Sequence, residues 1–172
     1  MKLKPLVFNS TPLIYLSKVG LSGIIENLQE KKLSSPLVKA EVVDKGKQKG
    51  VPSAVVLEKL FENGVFELCK PKDDLFLSRL SKTHGLHAGD AEVLALAKEH
   101  IGLAVIDDEV ARKTAKVYKI SYVGTPYVLA RAVFEGLLLK EQAKGAVKDM
   151  VSSGWRCNVE TYAKIMELID KM

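Results

Sequence analysis

Short apolar runs separated by stretches with helical spacing predict a fold in which strands alternate with helices. Residues 6–8 (LVF) and 103–106 (LAVI) are apolar without alternation, which is typical of strands covered on both faces. Further strands are predicted at 33–35, 65–68 and 120–123. Helices are predicted at 12–19, 22–30, 36–43, 53–62, 75–80, 109–119 and 127–134. This pattern favours an α/β fold with a central, mainly parallel sheet of four to five strands.

The stretch from residue 85 to residue 108 combines a buried helix, a buried strand and several carboxylates. The helix around VLALA (93–97) is apolar on nearly all faces, so we expect it in the interior. Asp90 and Glu92 lie at its start, and the strand that follows runs into Asp107 and Asp108. Core packing does not explain carboxylates at these positions, so this stretch is the first candidate for a functional site.

Polar residues also follow the other predicted strands. Asn9 comes directly after the first strand, and Glu41 lies in the helix after the second. Ligands of open α/β sheets bind outside the carboxyl ends of the strands, so Asn9, Glu41, Asp90 and Asp107 or Asp108 could converge there. A carboxylate cluster without His or Cys suits Mg²⁺ or Mn²⁺. Such ions promote hydrolysis of phosphodiesters.

Each candidate also has an ordinary structural interpretation. Glu41 is spaced to pair with Lys45 on a helix surface, and Asp108 is spaced to pair with Arg112. Asp107 could cap the following helix. The spacing alone leaves these alternatives open.

The start of the buried helix raises two further alternatives. Asp90 could cap its own helix. On a regular helix, Glu92 points about 200° away from Asp90, so the two can serve one site only if the first turn is irregular. His84 and His87 with Asp90 would form a loosely spaced zinc set without a third soft ligand nearby, which disfavours zinc.

The segments Thr11-Pro12 and Thr125-Pro126 each follow a predicted strand and precede an apolar helix. Threonine is a common N-cap and proline suits the first helical position, so we expect Thr11 to cap its helix. The similarity of the two segments predicts that the strands before them are neighbours in the sheet.

Composition narrows the class of protein. The net charge of +5 and the pI of about 9.1 weakly favour a polyanionic partner. Cys69 and Cys157 form no CxxC motif, which predicts a reducing cytoplasmic location without a disulfide framework. No apolar run approaches the roughly 18 residues of a membrane span.

The C-terminal region predicts two more helices, at 140–151 and 159–169, joined by the turn SSGWRCN. We expect this pair to pack on the flank of the α/β domain. Trp155 and Tyr162 are expected to anchor the pair and not to bind a ligand.

Five segments in order resemble the PIN domain, a nuclease family with a three-layer α/β/α fold. They are VFNSTPLIYLSKVG, SPLVKAEVVDKG, GDAEVLALAKE, VIDDEVARKTA and VGTPYVLARA. The resemblance implies a PIN-like domain over residues 1–136 and a helical extension over residues 137–172 packed on the same domain. It is strongest to bacterial and archaeal PIN-like proteins, several of which look like toxins of toxin–antitoxin pairs.

The resemblance also implies a site. Asn9 occupies the first acidic position of the family, where aspartate is common, and this substitution removes one negative charge. The implied catalytic residues are Glu41, Asp90 and Asp107. The implied metal ligands are Asn9, Glu41, Asp90 and Asp107, with Glu92 and Asp108 as alternates. Thr11 and Thr125 are implied as supporting polar residues.

The function implied by the family is Mg²⁺- or Mn²⁺-dependent cleavage of RNA by a homodimer, with a small antitoxin protein as possible partner. Near Glu41, four lysines could contact phosphates, although a solvated flexible loop is the slightly favoured explanation of them: Lys39, Lys45, Lys47 and Lys49. Two alternatives remain. One is a catalytically weakened PIN domain that binds RNA or protein. The other is a hydrolase with an Asp nucleophile, which Asn9 at the end of the first strand disfavours.

Overall fold

Five parallel strands form one sheet in the computed structural model, which describes residues 3–172. The strands are Leu6–Phe8 (β1), Lys32–Ser34 (β2), Glu67–Leu68 (β3), Leu103–Val105 (β4) and Tyr122–Val123 (β5). Their order in the sheet is β3-β2-β1-β4-β5, and every pairing is parallel. Helices cover both faces, so the predicted three-layer α/β/α fold is confirmed.

The helices connect and flank these strands. Their bounds are Ser10–Lys18 (α1), Gly23–Asn27 (α2), Pro36–Lys39 (α3), the π-helix Ala40–Lys45, Gly46–Gln48 (α4), Pro52–Glu62 (α5), Asp74–Ser81 (α6), Ala88–Glu99 (α7), Glu109–Val117 (α8), Thr125–Phe134 (α9), Lys140–Ser152 (α10) and Val159–Lys171 (α11).

Strand β1 lies at the point where the chain reverses its direction of travel across the sheet. From β1 the chain moves to β2 and β3 on one side, and it then returns to β4 and β5 on the other. All three residues of β1 are fully buried. Ligands of open α/β sheets gather at the carboxyl ends of strands on either side of such a switch point. The residues that follow β1 and β4 therefore lie where a functional site is expected.

Helix α7 is buried on nearly all faces, as its apolar sequence predicts. Val93 to Ala97 are at most 1% exposed, and the helix packs against β1, β4 and the neighbouring helices α3, α6 and α8. This packing fixes the first turn of α7, which carries Asp90, above the sheet edge.

Two details of the predicted connections are wrong. Thr11 is not the N-cap of α1, because the helix begins at Ser10 and the cap position, with extended backbone, is Asn9. The strands that precede the two Thr-Pro segments are β1 and β5, which are not neighbours because β4 lies between them. The similar segments reflect similar strand-to-helix turns at one edge of the sheet.

The helical run after β2 continues further than predicted. Ser35 caps α3 by accepting a hydrogen bond from the Val38 backbone at 3.2 Å. The chain then passes through the π-helix that carries Glu41 and stays helical to Gln48, although its sequence there is rich in Lys and Gly. Short π-helical segments within α-helices are frequently found at functional sites.

The C-terminal helices pack on the α/β core. Helix α10 contacts α1 and α9, and α11 contacts α9 and α10. Trp155, in the turn between them, is 6% exposed, and Tyr162 packs partly buried against the core. Within residues 3–172 there is no helix with the length and apolar character that crossing a membrane requires.

Candidate active site

Asp90 is buried in the first turn of α7 and is held by two donors. Its Oδ1 atom accepts a hydrogen bond from the Nδ2 atom of Asn9, and its Oδ2 atom accepts one from the backbone of His87 at 3.3 Å. The second bond belongs to a capping box, so the structural alternative for Asp90 is also realised. Burial, together with repulsion from Asp108, raises the pKa of Asp90 above its ordinary value. A cation nearby would relieve both costs.

Asn9 and Glu41 face the same small volume at the start of α7. A side-chain carbon added at Gly89 would lie 3.6 Å from Asn9 Oδ1 and 3.7 Å from Glu41 Oε2. The Ser10 hydroxyl donates to Glu41 Oε2 at 2.6 Å, so Glu41 is directed toward β1 and not toward Lys45. Residue 89 has no side chain to fill this space, and both oxygens remain directed into it.

Asp108 follows β4 and lies at the N-terminal end of α8. Its Oδ2 atom caps α8 by accepting a hydrogen bond from the Ala111 backbone at 2.9 Å. It is close enough to Asp90 to raise the pKa of that carboxyl group. The predicted pairing of Asp108 with Arg112 is wrong, because Arg112 bonds Asp107 instead.

Asp107 accepts hydrogen bonds from four donors of the protein itself. Thr125 donates twice, from its backbone at 2.9 Å and from its hydroxyl at 2.5 Å. The indole of Trp155 donates at 3.1 Å, and Arg112 donates at 3.3 Å. The Asp107 side chain is 7% exposed. Asp107 therefore ties β4, α8, α9 and the C-terminal turn together, whereas the cap of α8 is Asp108.

Two glycines permit this arrangement. A Cβ atom at Gly124 would lie 3.0 Å from Asp107 Oδ1 and would collide with the Arg112 guanidinium. Gly154 has a φ of +99°, a backbone conformation that other residues rarely adopt. It turns the chain so that Trp155 reaches Asp107.

Trp155 is the site residue that sequence reasoning missed. It anchors the C-terminal helices, as expected, but it also bonds a carboxylate 48 residues away in the chain. The available signal was a single tryptophan beside a glycine in a turn, and this does not identify which acceptor the indole reaches.

The oxygen atoms gathered here suit a hard cation. Asn9, Glu41, Asp90 and Asp108 offer carbonyl and carboxylate oxygens, the ligands that Mg²⁺ and Mn²⁺ prefer. Across residues 3–172, no three His, Cys, Asp or Glu side chains are close enough to enclose an ion by themselves. Mg²⁺ usually keeps several waters and takes few protein ligands together with phosphate oxygens.

Other residues predicted for the site lie at its margins. Thr11 lines a cleft beside Asp107. Glu92 is partly buried, and its Oε2 atom has no hydrogen-bond partner within the part of the chain that the structure describes. His84 and His87 are exposed, and no metal-binding group of the kind required for zinc forms around them in residues 3–172.

The four lysines near Glu41 differ in their surroundings. Lys47 forms an ion pair with Glu58 at 2.9 Å, and Lys39 is half-buried. Lys45 and Lys49 are exposed. Lys45 and Lys49 are therefore the better placed to contact phosphates.

Comparison with known protein families identifies the family of this chain. A family model described as DUF3368, a PIN domain, matches residues 5–171, which include the C-terminal helices. No protein in the curated set matches the chain significantly. Because the family model covers almost the whole chain, the protein belongs to the PIN domain family DUF3368 and has a nuclease-type fold.

Proposed function

We propose that this protein is a metal-dependent endoribonuclease whose site consists of Asn9, Glu41, Asp90 and Asp108. The observation that carries the proposal is the position of these four residues. Asn9, Glu41 and Asp90 lie around the start of α7, and Asp108 lies after β4, the strand that neighbours β1 at the switch point. The PIN fold makes a nucleic acid the expected substrate class.

Each side chain has a role that follows from its contacts. Ser10 orients Glu41, and the amide of Asn9 orients Asp90 while its own Oδ1 atom remains directed toward Gly89. A Mg²⁺ or Mn²⁺ ion would supply activation of water and stabilisation of charge on the phosphate oxygens. Asp108 would complete the ligand set because its Oδ1 atom is not used in capping α8.

Asp107 has a different role in this proposal from the one expected from sequence. Its oxygens already accept four hydrogen bonds, one of them from Arg112, so its charge is largely neutralised within the protein. We assign Asp107 to positioning the turn that carries Asp108, and Thr125 to holding Asp107.

The test is cleavage of a mixed RNA pool in Mg²⁺ or Mn²⁺, with EDTA as the metal-free control. Asp90→Asn and Asp108→Asn should each lower cleavage by at least about tenfold, which is the smallest typical loss when even an outer partner of a metal ligand is removed. The matched control is Asp73→Asn, because Asp73 also caps a helix, α6, but lies outside the site. Cleavage by Asp90→Asn at the wild-type rate would contradict the proposal.

A second candidate, an RNA-binding domain without catalysis, is favoured by Asn9, which gives the site one negative charge fewer than aspartate would. It predicts salt-dependent RNA binding with no cleavage in either metal. The toxin role stays a prediction of the family resemblance. Induced expression tests it, because wild type should arrest bacterial growth and Asp90→Asn should not.

A further inference from the structure

A cleft of about 780 Å³ opens beside the acidic site, between the α/β core and the C-terminal helices. Its walls come from α1, the turns after β4 and β5, helices α8 and α9, the 154–158 turn and α11. Ligand sites usually have volumes of roughly 300–1,000 Å³, so the cleft can hold a nucleotide.

The cleft is continuous with the proposed catalytic residues. Asp108, one of the proposed site residues, lines it, and so does Thr11, which lies two residues after Asn9. A strand of RNA whose phosphate lies at the proposed site would therefore extend into the cleft.

The side chains of the cleft suit a base and a phosphate. Tyr15, Tyr127 and Trp155 line it, and aromatic side chains stack on nucleic-acid bases irrespective of sequence. Two cations, Arg112 and Arg156, also line it. Arg112 already donates hydrogen bonds to Asp107 and, at 3.1 Å, to the Ile106 carbonyl.

Arg156, by contrast, is exposed and has no ion pair within residues 3–172. We infer that this cleft, called here the C-terminal cleft, binds an unpaired nucleotide of single-stranded RNA next to the scissile phosphate, with Arg156 contacting a phosphate of the same strand. The inference rests on the proposed ribonuclease function and adds that the C-terminal helices form part of the substrate site.

The test uses the intrinsic fluorescence of Trp155, which is the single tryptophan of the protein. Short oligouridylate is added to the 172-residue chain in EDTA, so that binding is measured without metal and without cleavage. A saturable change in emission supports the inference, since the indole lies in the wall of the cleft.

The variant Arg156→Gln identifies the phosphate contact. Removal of one contact to a single strand lowers the slope of log affinity against log salt by about 0.7 in magnitude. Arg79→Gln is the matched control, because Arg79 is an exposed arginine on α6 and does not line the cleft. Tyr15→Leu should weaken binding as well, through the loss of a stacking surface.

The outcomes separate this inference from the proposed function. Metal-dependent cleavage without any change in emission would overturn the inference and leave the nuclease intact, and so would an unchanged salt slope in Arg156→Gln. An emission change without cleavage in Mg²⁺ or Mn²⁺ would support the cleft as an RNA site and contradict the nuclease. A response to peptides but not to oligouridylate would assign the cleft to a protein partner and overturn the inference.

Discussion

Replacement of Asp107 by Asn should destabilise the fold much more than the same replacement at Asp108. Asp107 accepts four hydrogen bonds and is 7% exposed, whereas Asp108 accepts one backbone hydrogen bond as a helix cap. The two residues are adjacent in sequence, and both substitutions remove one negative charge and keep the side-chain shape. Any difference in stability therefore reports the different hydrogen-bond surroundings.

The magnitude follows from the donors that an amide can satisfy. If the new amide in Asp107→Asn keeps its oxygen toward the Thr125 backbone and Arg112, its NH₂ group can still donate to the Thr125 hydroxyl. The same NH₂ group would face the indole N–H of Trp155, which loses its acceptor. One lost charge-assisted bond is worth roughly 1.5–3 kcal/mol, and the weakened Arg112 pair adds little because Arg112 is partly exposed. We expect a loss of about 2–3 kcal/mol for Asp107→Asn and under about 0.5 kcal/mol for Asp108→Asn, since asparagine caps helices as well as aspartate.

The assay is urea unfolding followed by circular dichroism, in EDTA so that metal binding does not contribute. A loss of about 2–3 kcal/mol lowers Tm by about 4–12 °C for a chain of this size, which gives a second measure. In a double-mutant cycle, Trp155→Phe should cost less in the Asp107→Asn background than in wild type. Equal stabilities of Asp107→Asn and Asp108→Asn would refute the assignment of Asp107 to a structural role.

Three further predictions concern other parts of the molecule. Asn9→Asp places a carboxylate against Asp90, so it should lower Tm in EDTA because the two charges repel each other. The same variant should show a larger rise in Tm than wild type when Mg²⁺ is added, and an unchanged rise would mean that residue 9 does not face the ion. The double variant Lys45→Gln, Lys49→Gln should lower the slope of log RNA affinity against log salt by up to about 0.7 in magnitude for each residue. Lys47→Gln should change this slope less, because Lys47 pairs with Glu58. An equal change in slope per residue for all three lysines would contradict this distinction. Arg131→Met should lower the free energy of unfolding in urea by about 3–5 kcal/mol, because it leaves the buried Glu30 and Glu135 carboxylates without their shared guanidinium. A loss below about 1 kcal/mol would contradict the stabilising role of this pairing.

The elements that could be predicted from sequence are those whose own residues determine their burial. The apolar runs of β1 and β4 and the helix around VLALA carry a pattern that only interior positions explain. The order of the strands could not be read in the same way, since β1 and β5 have similar flanking segments and yet are separated by β4. Pairing depends on contacts between distant segments, which local patterns do not contain.

The candidate site, likewise, could be predicted from local sequence only in part. The residue types and their places after strands identified Asn9, Glu41, Asp90 and the pair Asp107–Asp108 as candidates. Asp107 is the aspartate of the pair whose oxygens accept hydrogen bonds from Thr125 and Trp155. These donors lie 18 and 48 residues away in the chain, so local sequence does not identify their acceptor. Local spacing instead suggested a pair between Asp108 and Arg112, and the Arg112 side chain in fact bonds the neighbouring carboxylate.

Asn9 gives the site a physical property that an aspartate would not. Its amide donates a hydrogen bond to Asp90 and so stabilises the buried Asp90 carboxylate in part. With an aspartate at position 9, a cation would have to provide that stabilisation. The same side chain keeps its Oδ1 atom toward the space shared with Glu41. The fold should therefore depend little on metal, and the free protein should bind Mg²⁺ weakly. An RNA phosphate brought to Asp90 adds the negative charge that Asn9 lacks, and Mg²⁺ readily takes phosphate oxygens as ligands. Metal and RNA should consequently bind with positive coupling, and by linkage each should raise the affinity of the other by the same factor.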